Sequence, residues 1–269
     1  MKKLLLSLAA LALISCVITG CGKGKSGGDA SLDALKSRGV FVLGLDDSFP
    51  PLGFRNEANE IIGYDIDLAK EVASRLGVSF KAQPIDWDSK EMELNTGKID
   101  CIWNGLTITE ERLNTLSFTK PYLKNMQVVV VRNDSSIEKL SDMAGKKIAI
   151  QSGSSAQDAV DGAPEFKASL KEVVPFEQNL LALNDLSIGG VDGVVMDSVV
   201  AEYAIKMSQL PFHVLPEGLA AEEYGIAFRK GDAALTAEVQ KILEEMAADG
   251  TVAKISGKWF GSDISVIGK

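Results

Sequence analysis

From about residue 31 onward, apolar positions along the chain alternate between two spacings. Short apolar runs, such as VFVLGL at 40–45 and IDCIW at 99–103, are typical of buried strands. Segments with apolar residues three and four positions apart predict amphipathic helices; GYDIDLAKEVASRLG at 63–77 is one, and Gly77 is a natural stop for it. This exchange of strand and helix predicts an α/β protein with a mostly parallel sheet covered on both faces.

The alternation continues into a second unit, with a helix predicted at SIEKLSDMAG and strands at KKIAI, KEVVPF, VDGVVM and FHVLP. One strand, YGIAFRK, and two helices remain after that unit is complete. We therefore predict that the chain crosses back into its first unit through extended segments near 128–132 and 222–228. Two such crossings form a hinge between two lobes that face a cleft. The predicted boundaries are 35–128 and 226–269 for lobe 1, and 129–225 for lobe 2.

The N-terminal segment has a different pattern. MKK gives a positively charged start, LLLSLAALALISCVI is a nearly continuous apolar run, and small residues follow. These features predict a secretory signal peptide at 1–20, too short for a spanning helix. The next residues, 21–34, begin with CGKGKSGGDA and are predicted to form a flexible tether.

The signal ends in ITGC, which resembles a bacterial lipobox. Cys21 would then be the lipid-modified first residue of the mature chain, anchored to the cell membrane on its outer side. Cys16, in LISC, is an alternative lipid site that leaves a shorter apolar segment. An uncleaved apolar helix and an ordinary secreted protein are the other interpretations. The third cysteine, Cys101, lies in a strand-like run typical of a core position, so we expect no disulfide.

Charge and composition exclude several functions. The formal net charge is −9 and would become −11 once Lys2 and Lys3 leave with the signal. This acidity, without a basic stripe, argues against nucleic acid and against an anionic lipid surface as partners. The one histidine, His213, lies far from every polar motif, which leaves no Ser-His-Asp, Cys-His or metal-ligand cluster. We expect no metal, no cofactor and no enzyme activity.

Four polar stretches directly follow the predicted strands VFVLGL, IDCIW, KKIAI and VDGVVM. In open α/β sheets, ligands bind beyond the carboxyl ends of the strands. Because two of the four stretches belong to each predicted lobe, all four can face one cleft.

The stretch NGLTITEER, at 104–112, suits an anion. Thr107 and Glu110 fit a capping box, which predicts that a short helix begins at about Ile108. Free N–H groups at a helix N-terminus and the planar, two-pronged donor of Arg112 both match a carboxylate. The alternative is that Arg112 pairs with a Glu on the helix surface.

Seven blocks of the sequence, taken together, resemble the polar amino-acid-binding proteins of bacterial ABC importers, the family-3 extracellular solute-binding proteins. The blocks are LDDSFPPLGF, GYDIDLAKEVASRLG, KIDCIWNGLTITEERLNTLSFTKPY, GKKIAIQSGSS, VDGVVMD, YGIAFRKGD and DGTVAKISGKWFG, in the family's order over about residues 35–262. The resemblance implies a two-lobed, type II periplasmic-binding-protein fold with two crossover hinge strands. Such a protein closes over one amino acid and delivers it to a membrane permease and its ATPase. We expect a monomer.

The resemblance assigns the ends of the amino acid to named residues. It places the ligand's α-carboxylate on Arg112, the neighbourhood of Thr107 and the Gly105 backbone, and Asn104 of the same stretch joins the site. QSGSS, at 151–155, would supply Ser154 and Ser155 from the other lobe, although taken alone it fits a helix cap. The family often has Thr in place of Ser155.

Asp197, after VDGVVM, would neutralise the α-ammonium, although it could be merely an N-cap. Asp46, Phe49 and Trp87 would set the side-chain end, with the two aromatic residues on either side of an aliphatic stem or planar group. Phe49 and Trp87 could instead be core residues. Asp47 and Asp88 are weaker candidates for the same pocket.

Acidic groups in these places, without an aligned Lys or Arg, argue against aspartate or glutamate as the ligand. A cationic amino acid such as arginine, lysine or histidine, or a glutamine-like one, is favoured, and cystine stays open. Two other functions also stay open: a cyclohexadienyl-dehydratase-like enzyme on the same fold, and a ligand-sensing receptor subunit.

Overall fold

The structure is a computed structural model that describes residues 29–269. The predicted signal peptide, both candidate lipid sites, Cys16 and Cys21, and the first part of the predicted tether lie outside the described residues. Within 29–269, no helix has both the length and the apolar character needed to cross a membrane.

Ten α-helices and thirteen strands are present among the described residues. The helices are α1 (Ser31–Arg38), α2 (Tyr64–Leu76), α3 (Lys90–Asn95), α4 (Glu110–Thr115), α5 (Ser155–Asp161), α6 (Pro164–Ser169), α7 (Asn179–Ile188), α8 (Ser198–Ser208), α9 (Ala233–Ala248) and α10 (Thr251–Phe260). The strands are β1 (Val40–Leu45), β2 (Ser48–Phe49), β3 (Gly53–Arg55), β4 (Ile61–Ile62), β5 (Ser79–Pro84), β6 (Cys101–Thr107), β7 (Leu116–Phe118), β8 (Leu123–Arg132), β9 (Lys147–Gln151), β10 (Glu172–Phe176), β11 (Gly193–Asp197), β12 (Phe212–Val214) and β13 (Ala220–Arg229). Two 3₁₀ helices span Trp87–Ser89 and Leu140–Met143.

Helix α2 and strand β6 show how the sequence pattern becomes a core. The apolar residues of α2 recur at helical spacing and are buried on the side that packs against β1, β5 and β6. Gly77 ends the helix at φ +74°, a left-handed conformation that glycine adopts without steric cost. Cys101, at the start of β6, is fully buried and free, so its prediction as a core residue is confirmed.

The main sheet has the strand order β10-β9-β11-β8-β13-β6-β1-β5. Its two ends are parallel, since β1 pairs in parallel with β5 and β6, and β9 with β10 and β11. The centre is antiparallel, because β8 and β13 run against each other and against β11 and β6. The prediction of a mostly parallel sheet is therefore wrong for the centre, where the chain passes back between the two halves.

The two long strands lie where the sequence predicted crossings. The first half of β13 pairs with β8, from Ala220 opposite Gln127 to Tyr224 opposite Leu123. The second half of β13 pairs with β7, and the second half of β8 pairs with β11 and β12. Each long strand thus joins both halves of the sheet. We call the half with β1, β5 and β6 lobe 1 and the half with β9, β10 and β11 lobe 2; the boundary residues themselves stay a prediction.

The start of α4 differs from its prediction. Strand β6 continues through Thr107, which pairs with Tyr224, and α4 begins only at Glu110. Its N-cap is Thr109, whose Oγ1 accepts a hydrogen bond from the Arg112 N–H at 3.2 Å. The capping box predicted for Thr107 is therefore wrong, because the backbone of Thr107 is held in the sheet.

Two further segments also depart from expectation. Helix α1 begins at Ser31, so the last four residues of the predicted tether are helical. Ser31 Oγ accepts a hydrogen bond from the N–H of Leu235 at 3.1 Å, and Leu35 is buried, which docks α1 against α9. In SIEKLSDMAG, only the 3₁₀ turn Leu140–Met143 forms where a helix was predicted.

Candidate functional site

All ten residues predicted to contact a ligand line one cavity between the lobes, together with Gln151. They are Asp46, Phe49, Trp87, Asn104, Gly105, Thr107, Arg112, Ser154, Ser155 and Asp197. The solvent-accessible volume of the cavity is about 10 Å³, close to the room that a single water molecule needs. The structure thus brings the predicted residues together across a nearly closed crevice, while their role in binding stays a prediction.

Arg112 lies in the first turn of α4 and is 9% exposed. Its Nη1 donates to the Thr107 carbonyl at 2.9 Å, and its Nη2 reaches the Gly153 carbonyl of lobe 2 at 3.5 Å. These partners are backbone carbonyls, so the alternative in which Arg112 pairs with a surface Glu is wrong. Burial lowers the pKa of Arg112, but a guanidinium keeps its charge in proteins. The group is therefore a buried cation that lines the crevice, with two backbone carbonyls as its hydrogen-bond partners.

Two hydroxyls meet across the crevice beside Arg112. Thr107 Oγ1 of lobe 1 lies 3.0 Å from Ser155 Oγ of lobe 2. Ser154 behaves differently, since its Oγ caps α5 by accepting from the Ala156 N–H and donates to the Gln151 carbonyl at 2.7 Å. The helix-cap alternative is thus correct for Ser154, while Ser155 presents its hydroxyl between the lobes.

Gly105 leaves no room for a side chain at its position, and its backbone N–H is already hydrogen-bonded. Its φ is +62°, and an added Cβ would lie 2.7 Å from Leu52 Cδ1, so no larger residue fits without displacement. Its N–H donates to Asp65 Oδ2 and to the Tyr122 hydroxyl, each at 3.0 Å, on the interior side of β6. The Gly105 N–H is thus already hydrogen-bonded within lobe 1, and a ligand contact by the Gly105 backbone stays a prediction. Burial raises the pKa of Asp65 to about 8.

Asp197 ends β11 and is buried. Its Oδ1 accepts three hydrogen bonds, from the Tyr224 hydroxyl at 2.5 Å, Asn125 Nδ2 at 2.6 Å and Gln127 Nε2 at 2.8 Å. Although Asp197 occupies the N-cap position of α8, its side chain makes no capping hydrogen bond, so capping does not explain it. Burial, and then the nearby charge of Glu222, raise the pKa of Asp197 to about 7. Its ionised form is one that a cation would stabilise.

Asp46 and Asp47 take opposite directions. Asp46 is buried; its Oδ1 accepts from the Ser48 hydroxyl at 2.6 Å and its Oδ2 from Gln151 Nε2 of lobe 2 at 2.7 Å. Burial raises the pKa of Asp46. Asp47 instead pairs with Arg55 on the surface, with 2.5 Å between Oδ2 and Nε. Asp46 is therefore the carboxylate that lines the crevice, as predicted.

The two aromatic residues belong to the core and to the cavity at once. Phe49 is 5% exposed within the main hydrophobic core, and Trp87 is 8% exposed within a smaller cluster that includes Leu94 and Ile99. Both also line the cavity, so their place in the core is confirmed and their contact with a ligand stays a prediction. Asp88 does not line it.

Three residues of this region escaped the sequence analysis. Gln151 is the last residue of β9, and the strand-end rule that selected QSGSS could have found it. Lys90 is 5% exposed; its Nζ donates to the Gly153 carbonyl of lobe 2 at 2.7 Å and lies 5.2 Å from the centre of the Trp87 ring. Burial, and then the charge of Arg112, lower the pKa of Lys90 to about 8. Nothing in the local pattern distinguishes Lys90, or Glu222 on β13, from a solvated charge.

Among residues 29–269, no group of three or more His, Cys, Asp or Glu side chains could hold a metal ion. The crevice presents the Arg112 guanidinium and hydroxyl groups at one end. Elsewhere it presents two buried carboxylates, Asp197 and Asp46. This arrangement suits a small molecule that carries both charges.

Comparison with known proteins assigns the chain to a family. Residues 41–262 match the family model of the bacterial extracellular solute-binding proteins, family 3. The arginine-binding extracellular protein ArtP of Bacillus subtilis is 30% identical over 266 residues, which cover 97% of this chain and 98% of ArtP. The L-cystine-binding protein TcyJ of Escherichia coli strain K12 is 27% identical over 266 residues, covering 98% of this chain and 97% of TcyJ.

A solved structure agrees with these relatives. It is an ABC uptake transporter substrate binding protein from Streptococcus pneumoniae with bound histidine, with a TM-score of 0.86 and 35% identity over 89% of this chain and 99% of the other. The chain belongs to the bacterial extracellular solute-binding proteins, family 3. Its fold is the mixed α/β, type II periplasmic-binding-protein fold that the resemblance implied. These homologues are non-catalytic solute-binding proteins, in agreement with the prediction that the chain is not an enzyme.

Proposed function

We propose that the protein captures one amino acid between its lobes and delivers it to the permease and ATPase of an ABC importer. The observation that carries the proposal is the pairing of opposite charges in one crevice, with Arg112 of lobe 1 and Asp197 of lobe 2 lining the same cavity. An α-carboxylate on Arg112 and an α-ammonium on Asp197 would neutralise two buried charges at once. Charge-assisted hydrogen bonds of this kind strengthen as a closing crevice excludes water.

The side-chain end favours a cationic or amide-bearing amino acid. Asp46 accepts from Gln151 there, and a ligand guanidinium, ammonium, imidazole or amide could replace or extend that hydrogen bond. Phe49 and Trp87 supply aromatic faces for a planar or aliphatic side chain. The relatives described above include an arginine-binding, a histidine-bound and a cystine-binding protein, which keeps all three amino acids in the candidate set. We place arginine and histidine first, because a cationic side chain would neutralise Asp46 without bringing the second carboxylate that cystine carries.

Opening and closing would occur about β8 and β13, the two strands that join the lobes. Ligand binding shifts an open–closed equilibrium only as far as it prefers one of the two states. The contacts that span the crevice, such as Thr107 with Ser155 and Asp46 with Gln151, are the ones that a bound amino acid would exchange for its own.

A thermal-shift panel of the twenty amino acids with cystine and ornithine tests the proposal. A specific ligand at 100 times its Kd should stabilise the protein by about 2.7 kcal/mol and raise its melting temperature accordingly. We expect the largest rise for arginine or histidine. Equal melting temperatures across the panel, with the protein folded, would overturn the proposal.

We also propose that Cys21 carries the lipid that tethers the protein outside the cell membrane. The basis is the ITGC motif, and the family is extracellular by its description. In a Gram-positive host, Cys21→Ala should move the protein from the membrane fraction to the medium, whereas Cys16→Ala should leave it in the membrane fraction. The opposite pattern would assign the lipid to Cys16.

A further inference from the structure

Glu222 lies on hinge strand β13, behind the residues that line the cavity. Its Oε2 accepts three hydrogen bonds, from Asn125 Nδ2 at 2.9 Å, Gln127 Nε2 at 3.0 Å and Thr107 Oγ1 at 3.0 Å. Asn125 and Gln127 are the same two amides that donate to Asp197. Glu222 and Asp197 therefore share donors and form a pair of neighbouring carboxylates.

The position of Glu222 connects the two ends of the site. Thr107 ends β6 of lobe 1 and touches Ser155 of lobe 2, while Asp197 ends β11 of lobe 2. One carboxylate oxygen on the hinge thus fixes the hydroxyl beside Arg112 and the amides beside Asp197. Glu222 does not line this cavity but lines an adjoining one that Thr107, Asn125 and Ser155 share, so its effect on the site runs through these neighbours and through its charge.

We propose that Glu222 is a positioning residue for amino-acid binding. It orients Thr107 and the amides around Asp197, and it gives the amine end of the crevice a second negative charge. This inference rests on the proposed function. A pair of like charges is costly in a buried site unless a cation lies nearby. The α-ammonium of a bound amino acid is such a cation. Ligand binding would therefore offset the electrostatic repulsion between the two carboxylates, and this gain adds to the binding free energy.

The pair also makes binding depend on pH. The titratable groups that face Asp197 are Glu222 and Tyr224, both on β13, while β8 contributes the uncharged amides of Asn125 and Gln127. The charge of Glu222 helps to raise the pKa of Asp197, so Asp197 loses its charge at a higher pH than it would alone. Removing the Glu222 charge should weaken ammonium binding at high pH and move the acid loss of binding to lower pH.

The test compares Glu222→Gln with Glu223→Gln by calorimetric titration with L-arginine, L-histidine and L-glutamine between pH 6 and 8.5. Glutamine keeps an oxygen acceptor for Thr107, Asn125 and Gln127 while removing one charge. Glu223 is the exposed neighbour on the same strand, and its replacement changes the net charge of the protein equally.

At pH 8.5 we expect Glu222→Gln to weaken binding of the preferred probe by about 5- to 50-fold through the lost charge, and Glu223→Gln to leave it within about twofold. Toward pH 6 the difference between Glu222→Gln and the wild type should narrow. The melting temperature of Glu222→Gln without probe should equal or exceed that of the wild type, because a like-charge pair has been relieved.

An unchanged affinity and pH profile in Glu222→Gln, with a wild type that binds a probe, would overturn the inference alone. A lower melting temperature with a parallel pH profile would also overturn it, since it would show a structural role only. A wild type that binds none of the probes or panel amino acids would overturn the proposed function, and this inference with it.

Discussion

The two ends of the crevice hold buried charge in different ways. At the end proposed for the carboxylate, Arg112 and Lys90 of lobe 1 both reach the Gly153 carbonyl of lobe 2. At the end proposed for the amine, Asp197 and Glu222 accept hydrogen bonds from side-chain amides of β8. The first end is completed by contact between lobes, whereas the amide partners of the second end lie on strand β8.

Because of this difference, the binding free energy has two contributions, one from closure of the lobes and one from direct contact with the ligand. Contacts to Gly153 exist only while the lobes touch, so the cations also stabilise closure. The carboxylates keep their amide partners as long as β8, β11 and β13 stay paired, so they are oriented before a ligand arrives. Substitutions at the two ends should therefore differ in whether they change the closed population or only the direct interaction with the ligand.

The largest effect is expected for Arg112→Ala. Removal of one partner from a buried charge pair costs about 2–5 kcal/mol of binding. Calorimetry with L-arginine or L-histidine measures this loss. Arg75→Ala serves as the control, because Arg75 lies on α2 and pairs with Glu71 and Asp249 away from the crevice. An affinity unchanged by Arg112→Ala would refute the assignment of the carboxylate end.

Asp197→Asn should have the next largest effect, a loss of about 1.5–3 kcal/mol for a hydrogen bond to a charged group. It should also remove pH dependence. In the wild type, the pKa of Asp197 is raised to about 7, so the protonated fraction grows as pH falls below 7 and affinity for an ammonium falls with it. Between pH 8 and 6 the variant should show a flat profile, measured with the same titrations. A wild-type profile that rises toward acid would contradict the role of Asp197.

Lys90→Met should have a smaller and more selective effect. Losing the 2.7 Å hydrogen bond from Nζ to Gly153 removes one contact of the closed state, worth about 1.5 kcal/mol of affinity, the low end for a hydrogen bond from a charged group. Replacing a buried cation by an apolar side chain of similar length should leave the melting temperature unchanged or raise it. Small-angle X-ray scattering without ligand should show a larger radius of gyration. Lys98→Met is the matched control, since Lys98 pairs with Glu93 on the surface. Equal scattering from both variants would argue against a closure role.

Much of this architecture follows from local sequence. Apolar spacing located α2, β1, β9 and β11, and the strand-end rule collected polar residues that do meet in one cavity. The ligand role of each residue came from the resemblance and is not a property of spacing. Asp46 was correctly preferred to Asp47 as the carboxylate that lines the crevice, although both residues follow the end of β1 and lie outside the strand.

What escaped prediction depends on contacts between distant parts of the chain. The backbone of Thr107 is held by pairing with Tyr224, more than a hundred residues away, which no local capping pattern can reveal. The Gly105 N–H donates to Asp65 of helix α2, and Glu222 lies near Asp197 only because β13 and β11 both flank β8. In the sequence, a buried charge such as Lys90 cannot be distinguished from a surface charge, because its burial depends on contact with the opposite lobe.

Substitution of Asp65 should have the smallest effect on binding and a separate effect on stability. Comparing the two effects tests whether the core of lobe 1 and the crevice are independent. Burial raises its pKa to about 8 from an ordinary value near 3.8. Because the folded state then binds a proton that the unfolded state has released, the free energy of unfolding should fall as pH rises from about 4 to 8, by at most about 1.4 kcal/mol per unit. Asp65→Asn mimics the protonated form and keeps an acceptor for the Gly105 N–H, so it should flatten that slope in denaturant titrations. Its affinity for L-arginine or L-histidine at pH 7 should stay within about threefold of the wild type, since Asp65 lies behind Gly105 and does not line the cavity. A large loss of affinity would show instead that the conformation of Gly105 depends on the carboxyl of Asp65 and couples the core of lobe 1 to the site.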